Sequence, residues 1–226
     1  YRSAFSDMHK RVLAGETVTM EFEVLGLKGG RRWLETHAVP LLEHGQTVHL
    51  AVSRDITERR LMQEQVRHLA FHDALTNLPN RRLLLDRMAQ TMAASKRSGR
   101  YGALMFIDLD NFKPLNDVHG HEMGDLLLIE VAERMRRCVR EIDTVARFGG
   151  DEFVVMLSEL NADRGQSIAQ AQLIAEKIRL SVAEPYELKR KQAVSPDVAV
   201  HHHCTASIGV VLFLGSKNTK DEVLAG

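Results

Sequence analysis

Gly149-Gly150-Asp151-Glu152-Phe153 stands between Thr144 to Phe148 and Phe153 to Leu157, two short runs of strand-forming side chains. The stretch therefore reads as a β-hairpin with an acidic tip. Lacking Cβ atoms, two successive glycines let the backbone turn through positive φ and let a bulky anion come against it. Asp151 and Glu152 add hard carboxylate oxygens of the kind Mg2+ takes. Taken alone the pentapeptide is also ordinary turn chemistry, so its surroundings decide between a plain turn and a phosphate-plus-metal site.

Upstream, Ala103 to Leu109 is a short apolar strand that ends in Asp108 and Asp110, a placement that commonly delivers carboxylates to a site. Asn111-Phe112-Lys113-Pro114-Leu115-Asn116-Asp117 and Gly120-His121-Glu122-Met123-Gly124-Asp125 follow. From Leu127 to Val139, apolar positions 128, 131, 135 and 138 repeat at helical spacing, so this helix packs on the sheet. Asp125 falls in its first turn, where a carboxylate also suits the helix dipole. Arg140-Glu141-Ile142-Asp143 separates that helix from the hairpin and reads, by itself, as a solvated ion pair. Downstream, Gly165 to Ala183 is helical, with Ile168, Ala171, Ala175, Ile178 and Val182 on one stripe. A long polar segment from Pro185 to His203, with Lys189, Arg190 and Lys191, reads as a solvated loop or extended hairpin. His201-His202-His203-Cys204 reads as a polar strand entry, because adjacent histidines on a strand point to opposite faces and cannot converge on one metal.

Residues 1–54 alternate with period two after a short helix from Phe5 to Ala14. Val18, Met20, Phe22 and Val24 share a face; Trp33, Glu35, His37 and Val39 follow a Gly29-Gly30 turn, and Val48, Leu50 and Val52 make a third strand of an antiparallel meander. Asp55-Ile56-Thr57-Glu58 then switches the period, with Asp55 as N-cap and Glu58 at the capping-box position of a polar helix running to about Phe71. Met62, Val66 and Leu69 on that helix suit either a short parallel coiled coil or packing on their own domain. Pro79 breaks the helix and Asn80 caps the next, whose Leu84, Met88 and Met92 form a core stripe.

Composition narrows the classes. The 226 residues are 44% hydrophobic and 27% charged, enough for one large or two small globular domains. Thirty basic residues balance thirty acidic ones, so no general nucleic-acid or membrane surface is expected. Two cysteines, Cys138 and Cys204, make no disulfide framework and fit a reducing, cytoplasmic setting. The longest apolar stretches, such as Ile208 to Leu214, are too short to span a bilayer.

The meander, the Asp-Ile-Thr and the helix resemble the C-terminal half of a PAS sensor domain. The DALTNLPNRR, FIDLDNFKPLND, GHEMGD and RFGGDEF stretches occur in the order and spacing of the GGDEF domain of diguanylate cyclases, and Ser207-Ile208-Gly209-Val210 matches a later strand of it. The resemblance implies residues 1–57 as the PAS-like part, 58–72 as a signalling linker helix and 73–226 as the GGDEF domain, with a further helix and strand of the family lying beyond this sequence. The fold class it implies is α/β (α+β): a palm-like domain with helices around a mainly antiparallel sheet.

The activity it implies is Mg2+-dependent (or Mn2+-dependent) condensation of two GTP into cyclic di-GMP and two pyrophosphates by a homodimer under sensor control. Carried over by position, Asp108, Asp151 and the Leu109 carbonyl hold the metal, and Glu152 assists metal binding or hydroxyl deprotonation. Gly149 and Gly150 lie against phosphate and ribose, Phe112 and Lys113 take the outer phosphates, and Asn116 with Asp125 reads guanine. Arg140 and Asp143 match an inhibitory product site, to which Lys177 adds a contact where some relatives have arginine. The alternatives are a non-catalytic regulatory module binding GTP or cyclic di-GMP, within a larger GGDEF–EAL phosphodiesterase, and a purely structural dimerisation unit. No nucleic acid is expected as partner.

Overall fold

Residues 2–26, 29–190 and 198–225 are described by the structure, a computed structural model. The chain divides into two compact units, residues 1–68 and 69–226.

In the first unit, α1 (Arg2–Leu13) precedes a three-stranded antiparallel sheet of β1 (Val18–Leu25), β2 (Arg31–Glu43) and β3 (Gln46–Asp55), in that order. Val18 pairs with Ala38 and Met20 with Thr36, so the buried face of β2 carries its even-numbered residues. Trp33, Glu35, His37 and Val39, the row that period two picks out on this strand, lie on the opposite face. Met8 and Val12 of α1 close a small core over Val18 and Ala38. α2 (Thr57–Phe71) starts one residue later than a cap at Asp55 implies: Ile56 is buried and its carbonyl accepts the Arg60 N–H, while Asp55 Oδ1 accepts the Thr57 N–H at 2.9 Å from one residue further out. No residue of α2 is buried, and Leu61, Met62, Val66 and Leu69 are all more than half exposed.

In the second unit, Asn80 caps α3 (Arg81–Ser98) by accepting the Leu83 N–H at 3.1 Å. There follow β4 (Gly102–Asp110), α4 (Phe112–His119), α5 (His121–Cys138), β5 (Thr144–Gly149), β6 (Glu152–Leu157), α6 (Arg164–Ala183), β7 (Tyr186–Arg190), β8 (Val198–His202), β9 (Thr205–Phe213) and α7 (Lys220–Ala225). Four strands form one antiparallel sheet in the order β5-β6-β4-β9. Its two faces are both buried, which explains why β4 reads as a nearly unbroken apolar run. Met105, Ile107, Phe153 and Val155 pack with Leu127, Val131 and Met135 of α5 and Ile178 of α6, whereas Leu104, Val154 and Met156 pack with Leu84 and Met88 of α3. On that second face, cover runs out along β4: Leu104 is buried, Phe106 is partly buried, and Asp108 is exposed.

The segment after Pro185 is a hairpin of β7 and β8, but not a solvated one at its base: Tyr186 and Leu188 enter the main core. His201 and His202 end β8 instead of opening a strand, and residues 191–197 lie outside the described residues.

A polar clamp joins the segment before α3 to the hairpin. Arg147 Nη1 donates to Asp73 Oδ1 at 2.9 Å, and its Nε and Nη2 donate to the Gly150 carbonyl at 3.0 and 2.7 Å. The Arg147 N–H donates to the Pro79 carbonyl at 3.0 Å. Asp73 also accepts the Thr76 N–H and hydroxyl at 2.9 and 2.6 Å. Burial pushes the Asp73 carboxyl up, but the Thr76 bonds and the Arg147 guanidinium outweigh it and hold the group below the usual carboxylate range. A carboxyl whose folded pKa is depressed contributes stability above its unfolded pKa, and that contribution is lost as pH falls through the folded value. Asp73→Asn should therefore melt below wild type at neutral pH, with the gap narrowing once pH drops under about 4; thermal melts at a series of pH values check this.

Candidate active site

Asp108 sits opposite Glu152 in the β4–β6 register and opposite Ser207 in the β4–β9 register. Residues directly opposite in antiparallel strands project to the same face, so two carboxylates meet where the α3-side cover ends. The hairpin turn brings the next one: Gly149 (φ 152°) and Gly150 (φ 54°) take the positive φ that the double glycine allows, and Asp151 follows at the tip. The Asp108 carboxyl is pushed above its ordinary value by burial first, then by the negative charges of Asp151 and Asp110. The charges of Asp151 and Asp110 are thus felt at Asp108. Hard oxygens crowded in this way fit a divalent cation, whose charge would offset their repulsion. Among the described residues, no three His, Cys, Asp or Glu side chains are grouped to hold a metal by themselves, so further oxygens from backbone or substrate would have to complete the shell.

Leu109 is buried within the core, leaving its backbone as the part that could serve the site. Asn111, directly after β4, adopts the left-handed conformation (φ 62°, ψ 22°), which asparagine tolerates better than most residues, and this turns the chain into α4. Phe112, the first residue of α4, packs partly on the core while Lys113 is exposed.

α4 and α5 meet at Gly120, and the elbow brings Asn116 up to the residue before Asp125. Asp125 is not in the first turn of its helix: α5 begins at His121, and Asp125 is exposed one turn further in. The reason is that His121, Glu122 and Gly124 continue the helix upstream of the apolar stripe that marked it. Gly124, beside Asp125, lies hard against Asn116; a Cβ there would stand 1.9 Å from Asn116 Oδ1. That oxygen is buried without a hydrogen-bond partner, an unusual state for a polar atom and one that a ligand donor would relieve.

The residues matched to a product site sit apart from the hairpin tip. Asp143 is buried and forms no solvated ion pair: Oδ2 accepts the Arg140 N–H and Oδ1 the Ser158 N–H, each at 3.0 Å. It shapes the turn on which exposed Arg140 is mounted. Lys177 Nζ donates to the Cys138 and Arg137 carbonyls at 3.1 and 3.5 Å, which ties α6 to the end of α5. Arg147 and Asp73 went unread in the sequence as site residues. The only local signal was the position of Arg147 two residues before the double glycine, and its partner lies 74 residues away.

Residues 70–225 match the family described as diguanylate cyclase, GGDEF domain, and residues 1–61 match the PAS fold. The bifunctional diguanylate cyclase/cyclic di-GMP phosphodiesterase MucR of Pseudomonas aeruginosa is 42% identical over 179 residues, covering 79% of this chain and 23% of MucR. Diguanylate cyclase DgcM of Escherichia coli K12 is 34% identical over 175 residues, covering 77% of this chain and 41% of DgcM. The chain thus spans well under half the length of these relatives. Among solved structures, the coiled coil and GGDEF domain of DgcB from Caulobacter crescentus, in complex with c-di-GMP, aligns with a TM-score of 0.60 at 28% identity, covering 75% of this chain and 83% of that one. No described helix is long and apolar enough to cross a membrane. On the strength of the match over residues 70–225, the chain belongs to the diguanylate cyclase GGDEF family.

Proposed function

We propose that this chain is the sensor-linked catalytic part of a diguanylate cyclase that condenses two GTP into cyclic di-GMP and two pyrophosphates. The observation that carries the reading is the placement of Asp108 opposite Glu152 at the open end of the sheet, with Asp151 at the adjoining hairpin tip, a set of hard oxygens suited to a cation. Asp108, Asp151 and the Leu109 carbonyl would hold Mg2+ or Mn2+. Such an ion, when bound, lowers the pKa of the attacking 3′-hydroxyl and offsets triphosphate charge.

The other roles follow from residue chemistry. Gly149 and Gly150 leave the turn open to phosphate and ribose, Phe112 and Lys113 stand at the start of α4 for the outer phosphates, and Glu152 is placed opposite Asp108 to assist the metal or accept the hydroxyl proton. Asn116 and Asp125 take the guanine edge, whose N1–H and N2–H2 donors suit a carboxylate and an amide oxygen. Residues 1–57 act as sensor, 58–72 as linker and 73–226 as catalytic domain.

A cyclic product with two equivalent phosphodiester links is most simply made by two half-sites facing across a two-fold axis. The exposed apolar row of α2 supports such a homodimer. Cyclic di-GMP would return to the Arg140–Asp143 turn as feedback ligand, with Arg140 as the contact, Asp143 holding the loop and Lys177 bracing it. A second reading, a GTP-binding or cyclic di-GMP-binding regulatory module inside a longer GGDEF–EAL protein, is favoured by the bifunctional name of MucR.

Formation of cyclic di-GMP from GTP with Mg2+ separates the two readings. Asp151→Asn and Asp108→Ala should each keep the fold and cut turnover by about a hundredfold or more, on the order of 3 kcal/mol of transition-state stabilisation. Wild-type turnover in either variant would sink the metal assignment. Gly124→Ala, which drives a methyl group into the Asn116 amide, should raise the KM for GTP about tenfold, in line with roughly 1–3 kcal/mol for a lost buried hydrogen-bond partner. An unchanged KM would remove Asn116 from the base pocket.

A further inference from the structure

Asp110 is the second carboxylate at the end of β4, and the proposed reaction gives it no task. It lies two residues beyond Asp108 on the same face of the strand, about 7 Å along it, near enough for its charge to be felt at Asp108. A cation held by Asp108 and Asp151 would be within reach of a carboxylate so placed. Yet both of its oxygens are held from one side, each keeping a further lone pair. Thr205 Oγ1 donates to Asp110 Oδ2 at 2.6 Å, and Ser207 Oγ donates to Oδ1 at 3.0 Å. Both hydroxyls come from β9, where Thr205 pairs with Asp110 and Ser207 with Asp108, so they draw the carboxylate sideways along the sheet, towards β9. The Asp110 carbonyl is held on the same side by Cys204, whose Sγ lies 3.5 Å away. With Asn111 the chain leaves the strand in a left-handed turn, so Asp110 is the last residue that β9 can grip before α4.

We infer that the Thr205 and Ser207 hydroxyls form a clamp that keeps Asp110 out of the cation site and so sets its selectivity for Mg2+ over Ca2+. The inference rests on the metal reading of Asp108 and Asp151. Mg2+ is bound through one or two carboxylates and leaves its other positions to water and substrate phosphate, whereas Ca2+ takes six to eight oxygens and gains affinity with each added carboxylate. A site limited by the clamp waits for nucleotide oxygens to complete the shell of a small ion. With Asp110 released, the site would close around a larger ion before nucleotide arrives.

The test is calorimetric titration of the nucleotide-free chain with CaCl2 and, separately, with MgCl2. Thr205→Val/Ser207→Ala should bind Ca2+ about tenfold more tightly than wild type with little change for Mg2+, as expected when ligand charge count rises. Adding Asp110→Asn to that variant should return Ca2+ binding to the wild-type level, an outcome that a merely structural role for the hydroxyls would not produce. Thr205→Ser, which keeps a donor, should behave as wild type. Valine suits a strand, and Ser207→Ala alone should give a smaller shift of the same sign if the double variant is unstable. Unchanged Ca2+ affinity in both clamp variants, or a gain that survives Asp110→Asn, would overturn the inference. Mg2+ binding that is indifferent to Asp108→Asn would overturn the metal reading itself, and the clamp's role with it.

Discussion

Carboxylates held close together on neighbouring strands are the constraint on which the rest of this unit turns. Asp108 and Glu152 face each other across β4 and β6, and Asp151 adds its charge from the turn. Left to themselves such groups would move apart. They are held because β4 and β6 are buried on both faces, with α5 and α6 on one side and α3 on the other, so that neither strand can shift without opening a core. The turn is secured separately, by Arg147 holding the Gly150 carbonyl while itself held by Asp73. A cation between these carboxylates would offset their charge.

Neighbours of the acidic centre follow from the same strands. β4 runs into the left-handed Asn111 and thence α4, whose Asn116 carries a buried oxygen without a partner. The elbow to α5 needs Gly124 at the point of closest approach to that amide. A centre suited to a cation and a pocket suited to a hydrogen-bond donor are therefore connected by the seven residues of chain between Asp108 and Asn116, short enough that little freedom separates them.

What was legible beforehand was what short-range chemistry controls. The acidic hairpin, the strand ending in Asp108, the Asn80 cap and the antiparallel meander of the first unit all came from periodicity and turn residues, and the fold class followed from motifs in register. The start of α5 was not legible, because Met123 is the one apolar residue in its first turn, too little to mark a helix before Leu127, and Asp125 therefore looked like a first-turn residue. Nor was the engagement of Asp143, whose partner Ser158 lies across the hairpin, or the Asp73–Arg147 clamp, which joins residues that no local window contains. The three histidines before β9 look like a ligand set only when strand geometry is ignored. For the candidate site, the sequence proposed residues but not their mutual placement, because placement depends on sheet register.

The central claim is that this site recognises guanine nucleotide through a cation held by the strand-end carboxylates. The most direct measurement is a calorimetric titration of the chain with GTP and with ATP, each in the presence of Mg2+ and again with the metal chelated. The expected result is binding of GTP that requires Mg2+ and exceeds that of ATP by about tenfold or more, the discrimination that a site built to pair with base donors provides. Equal affinity for the two nucleotides, or GTP binding that survives chelation, would contradict it.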